Sequence, residues 1–253
     1  MLVDRDSYTL NNHRIPGLQE PLISRHLDQA CKRQNKLPTD DILLQLKEKI
    51  NHLPHFKDLF ERYKVNNLFA VHFLHRHSEV AHGFNMVGRT ISDGRLYWTR
   101  KVANNTLDTS KVCGRKFMFD EQGWFPCEFH EGSAPDLSKV KPEFFTDFAA
   151  YLVENDLTST FGLEYIVPEL LIFNMLENNW QRYGLVISES TSVPLDDNST
   201  VITSWGWLDS LRKRELRCVR FPDGHKKVNI EQQESLSDEE SIAAFERVYL
   251  NVY

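Results

Sequence analysis

The chain has little cysteine, no long apolar run and no broad basic face, and each shortage removes a class of protein. Cys31, Cys113, Cys127 and Cys218 are the only cysteines in 253 residues. They stand too far apart for a metal finger or a disulfide framework and read as reduced thiols. No stretch approaches the ~20 apolar residues that a membrane helix needs. The net charge of −6 argues against a general nucleic-acid binder, which neutralises phosphates with clustered cations. The one basic cluster, Arg212-Lys213-Arg214 with Arg217 and Arg220 behind it, reads as a solvated strand edge, where cations discourage aggregation. A nucleophile elbow, a phosphate loop, a Cys-x-x-Cys pair and a His-Glu-x-x-His helix are all absent. The first residues, Met-Leu-Val-Asp-Arg-Asp, are charged at once and lack the apolar core of a secretory signal. The expectation is a cytoplasmic protein that binds neither membrane nor nucleic acid.

What is present reads as a folded domain. Apolar residues at 41% and charged residues at 26% are close to globular averages, which leaves no case for disorder. Sixteen Phe supply core, or the wall of a small-molecule pocket.

Periodicity divides the chain. Residues 1–35 are polar, broken by Pro16, Gly17 and Pro21, with a helical candidate from Pro21 to Arg33. They read as an N-terminal arm, and residues 36–253 as a single domain. Thr39, Asp40 and Asp41 open a helix with an Ile42, Leu43, Leu46, Ile50 stripe that Pro54 should end, and a second helix carries Phe56, Leu59, Phe60 and Tyr63. From Leu68 the period changes to two, predicting a central strand to His77. Ser92-Asp93-Gly94, Glu121-Gln122-Gly123 and Asp223-Gly224 each predict a hairpin turn. Further strand candidates are Gly162 to Val167, Trp180 to Ser188, Val201 to Trp205 and Leu216 to Phe221. Pro142 opens a central helix with a Phe144, Phe145, Phe148 stripe, and Ser237 with Glu240 forms the capping box of a last one. The fold class is therefore α+β: a largely antiparallel sheet packed by N-terminal, central and C-terminal helices.

Chemistry concentrates at His72-Phe-Leu-His75-Arg-His77-Ser-Glu79-Val-Ala-His82, which holds four of the ten histidines. On a continuous strand His75 and His77 share one face with Phe73, while His72 points the other way as a structural residue. Two imidazoles so placed can share a divalent transition metal, with Glu79, His82 or His130 as third ligand. Two His and a carboxylate with open positions suit non-haem iron, and similar sets suit copper or zinc. The same histidines could serve as acid and base in a metal-free pocket, or be structural. His130 and Glu131, at a strand end before Gly132, are the other catalytic candidates, and Cys127 lies close enough in sequence to consider a Cys-His pair. The leading expectation is a small-molecule enzyme with a histidine-lined pocket. The alternative is a non-catalytic ligand-binding or protein-interaction domain.

Two resemblances accompany this reading. His75-x-His77-x-Glu79 with Pro222-Asp-Gly224-His225 and Asn229 resembles the two motifs of cupin barrels, but the spacing is short in both motifs and they lie about 145 positions apart. Phe73-Leu-His75-Arg-His77, Asn85-Met-Val87 and Pro142-Glu-Phe-Phe145 are similar to a group of uncharacterised, mostly fungal proteins, which implies no activity.

Overall fold

Period-two alternation turns most of the chain into strands, and the strands close on themselves. The computed structural model describes residues 14–39, 48–170, 174–179, 184–189, 200–208, 213–219 and 237–250. Its ten strands are β1 (Phe69–Phe73), β2 (Phe84–Ile91), β3 (Leu96–Ala103), β4 (Val112–Asp120), β5 (Gly123–Glu131), β6 (Phe161–Tyr165), β7 (Asn174–Asn179), β8 (Leu185–Glu189), β9 (Thr200–Trp207) and β10 (Lys213–Val219). They run in the order β1-β6-β4-β5-β2-β3-β8-β7-β10-β9, and β9 pairs back onto β1 to make a closed barrel. Neighbours are antiparallel except β2 with β5 and β7 with β10. Closure gives each described strand a hydrogen-bonded neighbour on both sides. The α+β, largely antiparallel class holds.

Two of the expected hairpins are present. β2 and β3 pair from Phe84↔Ala103 to Ile91↔Leu96. Their turn places Ser92, Asp93 and Gly94 at positive φ, the conformation that favours Gly and tolerates Asp. β4 and β5 close on Asp120↔Gly123. The Asp223-Gly224 turn lies outside the described residues, as does the second cupin-like motif.

Among the described residues, four α-helices clothe the outside: α1 (Ser24–Gln34), α2 (Leu53–Tyr63), α3 (Glu143–Glu154) and α4 (Asp238–Tyr249). Phe56 and Phe60 of α2 meet Phe144 and Phe148 of α3, and Phe69 of β1 stacks on Phe144. Each such ring contributes roughly 1.5–3 kcal/mol by leaving water. α1 packs Leu27 and Ala30 with Val87 and Phe129, and α4 packs Phe245 and Tyr249 with Trp98 and Val186. Ser237 and Glu240 form the expected capping box. Pro54 does not end a helix. It sits in the first turn of α2, where its missing amide leaves no bond unmade; residues 40–47, holding most of the expected preceding helix, lie outside the described set.

The side chains that face away from these helices meet inside the barrel. Lys116 of β4 approaches Glu177 of β7, and Arg115 of β4 lies over the ring of Tyr97 of β3. None of these strands is a neighbour of its partner in the barrel order, so the contacts cross the interior.

Candidate functional site

β1 ends at Phe73, four residues earlier than the alternation predicts, and this decides where the histidines go. The amide of Leu74 then bonds the carbonyl of Thr160 and that of Arg76 the carbonyl of Pro38. Released from the pleat, the chain turns His75 inward, away from the face of Phe73. His72 therefore does not lie opposite: its ring centroid is 5.3 Å from that of His75. The expected separation of faces fails because it assumed a continuous strand.

His75 and His77 come together. Their Nε2 atoms are 3.2 Å apart, and His77 Nε2 is 3.0 Å from Glu177 Oε2. Ligand atoms of the three residues all lie within 4.8 Å of one another. His75 Nδ1 lies 2.8 Å from the Phe73 carbonyl, which can only accept, so Nδ1 carries the proton and Nε2 presents a lone pair. Burial, with the nearby His77 and Lys116, lowers His75 to about 3, so the ring is neutral. Burial works to raise the Glu177 carboxyl, but Lys116 and His77 outweigh it and hold the group well below the ordinary carboxylate range.

The other candidates lie elsewhere. Glu79 is solvent-exposed, with Oε1 3.7 Å from Arg76 Nη2, and His82 is exposed. His130 is inside the barrel but on another wall, its Nδ1 3.3 Å from the Tyr97 hydroxyl; burial and Arg115 lower it to about 4. Glu131 points outward, 3.3 Å from Arg100. Cys127 is no nucleophile for His130: its thiol donates to the Lys116 carbonyl, and burial pushes it up to about 12.

Around the histidines runs a buried ionic network that sequence reasoning missed. Arg115 Nη2 donates to Glu164 Oε1 at 2.6 Å, and Lys116 Nζ lies 3.1 Å from Glu128 Oε2 and 4.0 Å from Glu177 Oε1. His72 Nδ1 is 3.7 Å from Glu164 Oε2. Burial works against the charge on Lys116, but Glu128 and Glu177 outweigh it and raise its pKa. Arg214 belongs here too. Placed by sequence on a solvated strand edge, it is only 5% exposed, because β10 alternation turns it inward beside Met175. A signal existed: Arg115, Lys116, Glu128 and Glu164 each interrupt an apolar strand, which an ordinary core does not tolerate.

Comparison with protein-family models, with curated proteins and with solved structures finds no match. A cleft of about 410 Å³ between Arg14, His26, Gln122 and Trp124 shares no residue with the histidine site.

Proposed function

We propose that the protein is a small-molecule-binding barrel that holds a divalent transition metal on His75, His77 and Glu177, in the manner of a non-haem iron or zinc enzyme. The observation that carries this reading is the crowding of acceptors at one point. His75 Nε2 presents a lone pair, Glu177 presents a carboxylate, and His77 Nε2 stands 3.2 and 3.0 Å from them. A single ring nitrogen has at most one proton and cannot direct it at both. A cation satisfies all three.

The spacings agree. Ligands on one ion at about 2.1 Å stand about 3.0 Å apart at right angles and about 3.4 Å apart at tetrahedral angles. The Phe73 carbonyl fixes the His75 tautomer, the usual outer support of a metal-bound imidazole. Two imidazoles and a carboxylate leave positions for water and substrate, and an ion so held supplies Lewis acidity or an activated water.

One observation favours a second reading, a metal-free ligand-binding barrel: Lys116 already offers a positive charge 4.0 Å from Glu177. Metal analysis of untagged protein, reloaded with zinc or iron(II) and dialysed, separates the two. The metal reading expects about one ion per chain, lost in the His75→Ala/His77→Ala double variant. Substoichiometric metal after reloading, or the same affinity in the double variant, eliminates it.

A further inference from the structure

We propose that Arg214, with Arg115 beside it, is the recognition point for the carboxylate of a small organic acid bound inside the barrel. This deepens the small-molecule reading and rests on it for a reachable interior, but it does not require the metal.

The anomaly is the company Arg214 keeps. A buried guanidinium is ordinarily matched by a carboxylate, because desolvating an unmatched charge is expensive. Arg115 has that match in Glu164 at 2.6 Å. Arg214 is 5% exposed and lies within electrostatic reach of Glu164, yet the hydrogen-bond acceptor it reaches is the Met175 thioether, 3.5 Å from Nη2. A thioether is a weak acceptor. The Nε of Arg214 is buried without a hydrogen-bond partner, and so are the Nε and Nη1 of Arg115. Both guanidinium groups therefore keep N–H donors in the interior that make no hydrogen bond to the protein.

The strand number permits a guest. An eight-stranded barrel is just wide enough for its own side chains or one small ligand, and diameter grows with strand number. Across the interior, Lys116 Nζ on β4 stands 4.0 Å from Glu177 Oε1 on β7, beyond hydrogen-bond reach. Small residues border the Arg214 stem: a Cβ built on Gly206 would stand 3.3 Å from the Arg214 Cβ and 3.6 Å from the Ala70 Cβ, so a larger side chain at 206 would crowd it.

The ligand chemistry follows. A guanidinium presents two parallel N–H groups that fit a planar carboxylate. Glu164 and Glu128 line the same interior, so a singly charged carboxylate enters with less repulsion than a doubly charged phosphate. Burial lowers Arg214 only to about 10, leaving it cationic at neutral pH.

The test uses the full chain, with and without bound metal. Calorimetric titration with hexanoate and benzoate should show saturable binding, with hexanamide, benzamide and inorganic phosphate at least tenfold weaker. Arg214→Met should lose at least tenfold in carboxylate affinity while keeping its melting transition, and Arg214→Lys should retain part of it. Absence of carboxylate binding at millimolar concentration, equal binding of the amides or phosphate, or unchanged affinity in Arg214→Met overturns the proposal. Stoichiometric metal without carboxylate binding defeats this inference alone. Carboxylate binding without metal defeats only the metal reading.

Discussion

Arg115 on β4 and Glu164 on β6 meet at 2.6 Å inside the barrel, where their side chains are 1% and 4% exposed. Glu164 also faces His72, and Arg115 also faces Glu128 and the Tyr97 ring. Removing one partner leaves the other charge buried and unmatched. Arg115→Ala is expected to lower unfolding free energy by about 3–5 kcal/mol. Adding Glu164→Gln should restore part of that loss. Urea titrations of the two single variants and the double variant measure the coupling, and strictly additive losses would show that the pair does not act as one.

Stability should begin to fall on acidification above the range in which carboxylates titrate. Burial and Arg115 hold His130 at about 4 in the folded protein, against an ordinary 6.5. Between those values the unfolded chain takes up a proton that the folded chain refuses, so stability present above about pH 6.5 is lost as pH falls toward 4. The full effect is about 3 kcal/mol for His130. His26 and His72 act in the same direction. Urea midpoints from pH 7.5 to 4.5 should decline, and His130→Asn should flatten the slope.

The third ligand of the proposed metal site is distant in sequence. Glu177→Gln keeps the shape but removes the charge, and it should weaken zinc binding at least tenfold in a chelator competition. Glu79→Gln and His82→Ala, both at exposed positions, should leave it unchanged. The reverse pattern would move the site back to the local cluster.

The three buried thiols should be inert. Cys31, Cys113 and Cys127 are free and buried, and burial pushes Cys113 and Cys127 up to about 12. In a Cys218→Ser background, iodoacetamide at pH 8 should label the native protein at least tenfold more slowly than the urea-unfolded protein, as read by intact mass. Rapid native labelling of Cys127 would contradict its burial.

Helix α3 and the barrel share one aromatic layer, and Phe148 lies at its middle, fully buried against Phe56, Phe60 and Trp124. Phe148→Ala should cost about 3–5 kcal/mol. A loss below 1 kcal/mol in urea melts would mean that α3 is not part of the cooperative core.

Local physics was legible in the sequence. Turn residues at Ser92-Asp93-Gly94 and Gln122-Gly123 located two hairpins, the Ser237–Glu240 box located the start of α4, and the alternation around Phe69 and Phe73 located β1. These are short-range effects of φ preference, capping and side-chain period, complete within a few residues. The density of histidines also pointed to the segment from which His75 and His77 reach one point.

What the tertiary structure decided is long-range. The strand predicted to His77 stops at Phe73 because Leu74 and Arg76 find backbone partners at Thr160 and Pro38, and no local period encodes those. Glu177 joins His77 from 100 residues away. Closure of β9 onto β1 turned Arg214 from a presumed surface cation into a buried one, and gathered charges from five strands into one interior. Alternation says which residues share a face. Only the closing of the sheet says that this face is an inside.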